Sequence, residues 1–397
     1  MIRLILYYPS TYHFKMELGT LTCSQLVVLC RERKIKGYSG KKKTELLELL
    51  TGTPSTSGSI TPPSAIAILP EGAVTFIEVC AGAGGLSSGL MKAGFTPVLL
   101  NEIDRDCCST LQKNHVGVPV KCCSMLDLNL DEWIGKLDLL AGGVPCQAFS
   151  QAGNRKGLAD PRGNLILEFV ELVRKLRPRT FLIENVKGLL THEGGKTLKE
   201  VIERLSADEL YTIQYQVLNA SFYGVAQKRE RVFVVGVLKS ESKDFHYPSP
   251  DAEAKVLRDV LVDVPESVGA SYPEAKSKLF AMIPQGGCWV NLPLELQRSY
   301  LGKSYESGGG KRGILHRAAM DKPSLTILCS PSQKQTERCH PTENRPYTVR
   351  ETARIQSFND DYEFTGSMSS QYKQIGNSVP VELAYRMGIA LMECLKD

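Results

Sequence analysis

The chain has 397 residues, of which 42% are hydrophobic, 23% charged and 7% aromatic. These values are ordinary for globular proteins and exclude collagen-like, coiled-coil and disordered classes, and no apolar run approaches the roughly 20 residues that cross a bilayer. The formal net charge is +5, and residues 1–52 carry nine Lys/Arg against four Asp/Glu, so the rest of the chain is neutral overall. We therefore expect a soluble intracellular protein of two or three folded units, with a basic head that contacts an anionic partner.

The twelve cysteines form no CxxC pair and no Cys/His spacing typical of zinc. A chain of this length does not need disulfide bonds to stabilise its core. The sequence therefore predicts free thiols and no metal site.

The basic head, residues 1–52, contains two stretches with helical spacing. Leu26, Leu29 and Cys30 lie on one predicted helical face, and a lysine run precedes a second apolar stretch that ends at Leu50. This pattern predicts helix, basic turn, helix. The segment resembles a SAP module, a small helical unit that generally binds duplex DNA, and an ordinary helical hairpin is the alternative. The resemblance implies that three lysines contact DNA: Lys41, Lys42 and Lys43.

Residues 53–72 are rich in Ser, Thr, Pro and Gly, which predicts a flexible linker. Beyond it, short β-branched runs alternate with helical stretches over residues 73–244. The predicted strands are TFIEV, PVLLN, LDLLA, TFLIE and RVFVVGV, and the predicted helices follow Gly85, Asp104, Gly163 and Gly195. This alternation is typical of an α/β fold with a doubly wound, mostly parallel sheet.

The alternation ends near Phe245, where Pro, Gly and polar clusters begin. We expect a smaller, irregular second lobe over residues 245–345. Apolar helical character returns in 348–358 and 379–395, so residues 346–397 are expected to close back onto the sheet.

A glycine-rich turn follows the first predicted strand, in the run Glu78-Val79-Cys80-Ala81-Gly82-Ala83-Gly84-Gly85. Such a turn at the carboxyl end of a parallel strand lets a nucleotide-like ligand approach bare backbone. Ser87 stands where the dinucleotide fingerprint requires its third glycine, which disfavours a nicotinamide dehydrogenase. The next strand ends in Asn101-Glu102-Ile103-Asp104, where an acid can bind ribose hydroxyls, so the pair predicts an adenosyl ligand. Taken singly, each piece could equally be a tight turn or a helix cap.

Two further strand ends carry reactive groups. Cys146 lies in the loop Gly142-Gly143-Val144-Pro145-Cys146-Gln147-Ala148-Phe149-Ser150, where a thiol is exposed to ligand and suits a nucleophile. Glu184 ends the strand Phe181-Leu182-Ile183-Glu184-Asn185 and could lie beside Cys146, holding a proton near neutral pH if it is desolvated. The next strand opens with Gln227-Lys228-Arg229-Glu230-Arg231, whose guanidinium groups suit phosphate or a base oxygen. A surface charge cluster is the alternative for the last run.

The order AGAGG, NEID, GGVPCQAFS, ENV, QKRER, RETARIQSF and QIGNSVP resembles the DNA cytosine C5-methyltransferases, which use S-adenosylmethionine. The resemblance covers about residues 74–395. It implies a Rossmann-like methyltransferase fold, with residues 73–244 as the catalytic and cofactor-binding domain and residues 245–345 as the target-recognition domain.

The resemblance implies a role for each active-site residue. Cys146 of the Pro145-Cys146 loop adds to C6 of cytosine, Glu184 binds N3 and the exocyclic amine, and Asn185 braces the loop. Arg229 and Arg231 match a paired-arginine motif, and Arg231 is the better candidate for the cytosine oxygen. No motif supplies a dedicated base for the C5 proton.

The resemblance also implies a cofactor site. Its predicted residues are Glu78, Cys80, Ala81, Gly82, Gly84, Gly85, Glu102, Ile103, Ser124, Met125, Asn377 and Ser378. Two positions depart from the family pattern, because Cys80 stands where an aromatic is usual and Ser124 stands where an aspartate is common.

A cytosine inside a duplex is unreachable, so the family flips its target base into the pocket. Residues 296–345 carry nine Lys/Arg against four Asp/Glu, among them Lys303, Arg317 and Lys334, which predicts phosphate contacts. The predicted DNA contacts outside the head are Gln147, Ser150, Lys311, Arg312, Gln333, Gln335 and Arg338, although any of those in the lobe could equally be structural.

Two alternatives remain open: a tRNA cytosine methyltransferase and a DNA-binding homologue that has lost turnover. No Cys-Phe-Thr tripeptide typical of the tRNA branch is present. We expect a monomer that acts on duplex DNA, in the nucleus of a eukaryotic or viral system or in the cytoplasm of a bacterium, where restriction-modification is the natural setting.

Overall fold

The computed structural model describes residues 71–144, 165–306, 313–333 and 336–396, together with Leu26, Cys30, Lys41, Lys43, Leu46, Leu49 and Leu50. The chain divides into two compact units, Met1–Ile68 and Leu69–Asp397. The boundary lies within the predicted linker.

In the first unit, Leu26 and Cys30 are helical and fully buried, and so is Leu46. Both apolar stretches of the head are therefore helical where they are described. Lys42 lies outside the described residues, so the predicted SAP-like arrangement stays a prediction.

A seven-stranded sheet organises the second unit. Its strands are β1 (Thr75–Val79), β2 (Thr96–Glu102), β3 (Val120–Cys122), β4 (Leu139–Gly142), β5 (Thr180–Val186), β6 (Tyr211–Asn219) and β8 (Glu230–Leu238). The spatial order is β3-β2-β1-β4-β5-β8-β6. Strands β1 to β5 are parallel, and β8 runs antiparallel to both β5 and β6.

Helices cover the sheet. They are α1 (Gly85–Lys92), α2 (Arg105–Asn114), α3 (Leu165–Leu176) and α4 (Lys196–Ser206), with α7 (Val349–Ile355), α8 (Met368–Asn377) and α9 (Val381–Leu395) from the C-terminal segment. One apolar cluster joins the sheet to α1 and α9, and a second joins it to α3 and α4. The predicted doubly wound α/β fold is thus confirmed, and α9 of the C-terminal segment packs against the sheet in the first of these clusters.

The described part of residues 245–345 contains two short α-helices, α5 (Glu274–Ala281) and α6 (Leu294–Leu301), and a two-residue strand, β9 (Ser324–Leu325). Strand β9 pairs in parallel with β7 (Gln227–Lys228), which precedes β8. The lobe has its own apolar cluster around Phe280, Leu301 and Leu315. It is therefore irregular, as expected, but is tied to the sheet through β7.

No helix in the described part of the chain is both long and apolar enough to cross a membrane. The ten cysteines that are described all carry free thiols, in agreement with the sequence.

Candidate active site

The carboxyl ends of β1, β2, β4 and β5 meet at one edge of the sheet, where β8 begins. Parallel strands bring their following loops to the same side, which is where α/β proteins bind ligands. The edge therefore collects most of the predicted site residues in one region.

The glycine turn after β1 adopts backbone conformations that favour glycine. Gly82 has φ +57° and Gly84 has φ +80°, while Cys80 also has a positive φ of 55°. A β-carbon at Gly82 would meet none of the described atoms within 4 Å, whereas one at Gly84 would lie 2.6 Å from the Tyr362 hydroxyl. Gly82 thus borders open space that a ligand can enter, and Gly84 is required by packing.

Glu102 at the end of β2 orders this turn. Its Oε2 accepts a hydrogen bond from Gly82 N at 2.7 Å, and its Oε1 accepts from Ile103 N at 2.7 Å and Asp104 N at 2.9 Å. Carboxylate oxygens have further lone pairs, so ribose hydroxyls can still bind. Ile103 is 69% exposed beside it and offers an apolar surface to a ring. The open cradle at Gly82, this acid and this apolar side chain together fit an adenosyl cofactor.

Glu78 lies within β1 and is fully buried. The Ser87 hydroxyl of α1 donates a hydrogen bond to its carboxylate. Burial raises the pKa of Glu78 from 4.5 to about 8, with smaller contributions from Glu102 and Glu184. Glu78 is therefore predominantly protonated at neutral pH and lies beneath the predicted cofactor turn.

Another side of the predicted cofactor site is formed by Cys80, Met125 and Ser124. The Cys80 and Met125 sulfurs are 3.8 Å apart, and Ser124 caps the short turn that begins at Met125. Burial raises the pKa of the Cys80 thiol to about 12, so this thiol is neutral. The Cys80 side chain therefore packs against the Met125 sulfur on this side of the turn.

The C-terminal motif packs directly on the glycine turn. A β-carbon at Gly85 would collide with the Val379 carbonyl and would lie 3.1 Å from the Ser378 β-carbon. The structure thus brings Ser378 and Val379, nearly 300 residues away in sequence, into contact with the glycine turn, and Asn377 directly precedes them.

Glu184 and Arg231 form a buried ion pair on the antiparallel strands β5 and β8. Arg231 Nε lies 2.9 Å from Glu184 Oε1, with side-chain exposures of 13% and 10%. Arg231 also donates to the Glu230 carbonyl at 2.8 Å. An ion-paired carboxylate and guanidinium at one edge can bind the polar face of a base.

Asn185 connects this pair to the loop that carries Cys146. Its amide donates to the Val144 carbonyl at 3.2 Å, and its carbonyl accepts from Val186 N at 2.8 Å. A β-carbon at Gly143 would lie 3.6 Å from Glu184 Oε2. The last described residues before the loop are therefore held beside Glu184. The predicted residues that lie outside the described ones are Pro145, Cys146, Gln147 and Ser150.

Arg229 is fully buried, with 1% exposure, and its hydrogen bonds to described residues go to backbone carbonyls. Its terminal nitrogens donate to Ile327 at 3.3 Å and to Gly376 and Ser378 at 3.0 Å each, while Nε has no partner among the described residues. Burial, together with Arg231, lowers its pKa. This geometry supports a structural role for Arg229 in place of the catalytic one predicted from sequence.

Two residues that the sequence motifs do not include, Tyr362 and His115, support the glycine turn. The Tyr362 hydroxyl donates to the Ala83 carbonyl at 2.6 Å and lies 3.3 Å from His115 Nε2. Burial lowers the pKa of His115 to about 4, so the imidazole is neutral. Neither residue lies in one of the seven recognised motifs, so only the fold reveals the contact.

The predicted DNA-reading residues of the lobe have different surroundings. Gln333 is exposed in a turn closed by Thr336, whereas Arg338 is half-buried and donates to the Glu337 carbonyl at 2.8 Å. Lys311, Arg312 and Gln335 lie outside the described residues.

The position of Arg317 does not agree with the predicted phosphate contact. It is buried and donates to backbone carbonyls of Phe280, Ile283 and His340, among others in the same lobe. Its guanidinium group forms hydrogen bonds with the lobe's own loops and is not available to bind phosphate. Composition alone cannot distinguish such a buried arginine from one on the surface.

One group of side chains has the composition of a metal site: His340, Glu343 and Glu351. Arg345 binds both carboxylates, at 2.8 Å to Glu343 and 2.7 Å to Glu351. Arg345 therefore already balances part of the negative charge of the two carboxylates. Glu351 also accepts a hydrogen bond from Thr348 N and so caps the start of α7.

Comparison with known proteins supports the interpretation of this site. A family model described as C-5 cytosine-specific DNA methylase matches residues 74–393. A type II methyltransferase of Psychrobacter sp. is 45% identical over 339 residues, covering 83% of this chain and 82% of the relative. A type II methyltransferase of Escherichia coli is 46% identical over 331 residues, covering 81% of this chain and 79% of the relative.

Solved structures share the fold. One, described as a DNA modification methyltransferase encoded within an Escherichia coli prophage, has a TM-score of 0.66 at 22% identity and covers 82% of this chain and 100% of that chain. An Entamoeba histolytica methyltransferase has a TM-score of 0.58 at 19% identity, covering 82% and 99%. The Rossmann-like methyltransferase fold and the family resemblance predicted from the seven motifs are confirmed. The chain belongs to the C-5 cytosine-specific DNA methylases.

Proposed function

We propose that this DNA cytosine methyltransferase acts on duplex DNA, with S-adenosylmethionine as methyl donor and Cys146 as nucleophile. The observation that carries the proposal is the buried Arg231–Glu184 pair, with Asn185 extending from it to the backbone just before Pro145. The bacterial type II relatives favour a role in DNA modification.

The cofactor site is proposed to consist of the cradle at Gly82, the Glu102 carboxylate, Ile103 and the Asn377 segment. When bound, S-adenosylmethionine supplies an electrophilic methyl group on a sulfonium. Glu102 is already fixed by three backbone N–H groups, so its remaining lone pairs are aimed without further rearrangement. Such preorganisation is what makes a polar site effective.

The catalytic step begins with the Cys146 thiolate adding to C6 of a flipped cytosine. Ring nitrogen N3 gains electron density during this addition, and the Glu184 carboxyl group is proposed to donate a proton there and to recover it when Cys146 leaves. Arg231 holds Glu184 in position and is aimed at the cytosine oxygen. C5 of this adduct is nucleophilic and would take the methyl group that the bound cofactor supplies. Loss of the C5 proton to water or hydroxide and elimination of the Cys146 thiolate then restore the aromatic ring.

Methylation sequencing tests this proposal. The full chain is expressed in a bacterial host free of cytosine methylation, and its genomic DNA is sequenced for 5-methylcytosine. We expect dense 5-methylcytosine within one short motif, and none with Cys146→Ala, while Cys394→Ala in α9 serves as a control for loss of a thiol outside the predicted site. An unmethylated genome with soluble protein present contradicts the proposal, and methylation confined to structured RNA would establish the tRNA alternative.

A further inference from the structure

A buried polar cluster joins the target-recognition lobe to the C-terminal motif that carries Asn377. We call it the joint and define it by Gln227, Arg229, Ile327, Gln356 and Gly376. The side chains of Gln227, Arg229 and Gln356 are fully buried. Buried polar groups that satisfy one another fix a single arrangement of the segments they connect.

The lobe enters the joint through Ile327, just after β9. Its N–H donates to Gln227 Oε1 at 2.9 Å, and its carbonyl accepts from Arg229 at 3.3 Å. Thr326 beside it donates to the Lys228 carbonyl at 2.7 Å. Both backbone polar groups of Ile327 are therefore bound by the QKRER motif at the start of β8.

The C-terminal motif enters through the same side chains. Arg229 also donates to the Gly376 and Ser378 carbonyls, at 3.0 Å each. Gln356 accepts from Gln227 at 2.9 Å and donates to the Ile375 carbonyl at 2.7 Å. The guanidinium of Arg229 thus binds the lobe and the C-terminal motif at the same time.

The two segments also touch directly. A β-carbon at Gly376 would lie 2.6 Å from the Leu328 carbonyl and 2.7 Å from Cys329 N. The Cys329 thiol donates to Asn377 Oδ1 at 2.8 Å. Any displacement of Ile327–Cys329 therefore displaces the backbone beside Asn377 or leaves buried carbonyls unpaired.

We propose that Arg229 is a positioning residue that couples the target-recognition lobe to the cofactor site through this joint. The inference rests on the proposed function, since it takes Asn377 and the glycine turn as the cofactor site. Arg229 itself touches neither cofactor nor base: it transmits the position of the lobe to the backbone of residues 376–378. Cofactor binding is then expected to rigidify the lobe segment, and engagement of the lobe to order the cofactor site.

Hydrogen exchange tests the coupling without requiring catalysis. Exchange of the full chain is measured with and without S-adenosylhomocysteine, for wild type and for Arg229→Lys, in which one ammonium replaces the planar fork that spans three carbonyls. In wild type, S-adenosylhomocysteine is expected to slow exchange at Ile327 at least fivefold, as well as in the glycine turn. In Arg229→Lys, protection of the glycine turn is retained and protection of Ile327 is lost.

Arg317→Lys is the matched control, because Arg317 is an equally buried arginine whose carbonyl partners all lie within the lobe. It is expected to keep the coupling between S-adenosylhomocysteine and Ile327. If Arg229→Lys does not fold, Cys329→Ala provides the second measurement: it removes the thiol-to-Asn377 bond at the exposed rim and is expected to weaken the protection of Ile327.

The inference is overturned if protection of Ile327 is unchanged in the folded variant. It is also overturned if a wild type that binds S-adenosylhomocysteine and methylates DNA shows no protection of Ile327. Both outcomes leave the proposed function intact. A wild type that does not bind S-adenosylhomocysteine overturns the proposed cofactor site, and this inference with it.

Discussion

Arg231 Nε lies 2.9 Å from Glu184 Oε1. The two residues are 47 positions apart in sequence and occupy the neighbouring antiparallel strands β8 and β5. Because both side chains are almost wholly buried, water cannot solvate either charged group in place of its partner. The active site therefore depends on this pair for stability as well as for binding of the base.

Arg231→Met is expected to destabilise the fold by about 3 kcal/mol, because removing one partner leaves a buried carboxylate unpaired. It should also lower methyl transfer at least tenfold. Urea denaturation and single-turnover methyl transfer measure the two effects. Lys187→Met is the control, since the Lys187–Glu230 pair is 55% and 50% exposed and should cost less than about 1 kcal/mol. Equal effects of the two variants would contradict the assignment.

Glu102→Gln is expected to weaken binding of S-adenosylhomocysteine by roughly 5- to 150-fold, equivalent to about 1–3 kcal/mol. The carboxylate accepts from three backbone N–H groups, and an amide nitrogen facing any of them would oppose donor to donor. Titration calorimetry measures the affinity. Asp104→Asn is the control, because it keeps the helix-capping oxygen and alters only the pair with Lys373. Unchanged affinity in Glu102→Gln would count against the cradle.

Glu78→Gln is expected to flatten the pH dependence of stability. The pKa of Glu78 is about 8 in the folded protein against 4.5 ordinarily, so between these values the folded state holds a proton that the unfolded state has released. The free energy of unfolding therefore falls as pH rises from 4.5 to 8, by up to about 1.4 kcal/mol per pH unit and a few kcal/mol in all. Urea denaturation from pH 5 to 9 should show Glu78→Gln gaining on wild type as pH rises. Parallel profiles would refute a buried, protonated Glu78.

Gly82→Ala and Gly84→Ala separate the two roles of the glycine turn. Both place a methyl group on left-handed backbone, at roughly 1–2 kcal/mol. Gly84→Ala also drives that methyl against Tyr362, His115 and Leu111 and should lower the melting temperature further, whereas at Gly82 the described surroundings are open. Gly82→Ala should therefore fold but lose affinity for S-adenosylhomocysteine. Thermal melts measure stability and calorimetry measures affinity. Normal binding of S-adenosylhomocysteine by Gly82→Ala would contradict this prediction.

Replacing Lys41, Lys42 and Lys43 by Gln tests the proposed DNA contact of the basic head. Each phosphate contact contributes about 0.9 to the slope of log affinity against log salt, so loss of three contacts reduces the slope by about 2.7. Fluorescence anisotropy with an unmethylated duplex between 50 and 300 mM salt measures it. An unchanged slope would remove the head from the DNA interface.

The architecture of the sheet could be predicted from the pattern of residue types. Short β-branched runs separated by amphipathic stretches predict a mostly parallel sheet with helical crossovers. Strands β1, β2, β4, β5 and β8 lie where that pattern predicts strands, although β8 runs antiparallel to β5. Strand β6 was missed because it is a partly exposed edge strand, and β3 because three residues carry no period. Helix α8 was missed because its sequence, MSSQYKQIGN, is mostly polar and its buried side includes Gln374 and Gly376.

The motifs likewise determined which strand ends carry the chemistry, because parallel strands necessarily bring their carboxyl ends to one edge. Glu102, Glu184 and Arg231 all lie there. What a motif cannot specify is the direction of a side chain. Arg229 and Arg231 are two residues apart, yet one binds the carbonyls of the joint and the other binds Glu184.

Only the tertiary structure decided the contacts between distant segments. Tyr362 supports Ala83, Gly376 meets Leu328, and Arg317 is buried within its own lobe. These are determined by how close two backbones approach and by which carbonyls lack another donor. Such quantities arise when the chain packs, and the local pattern of residue types does not encode them.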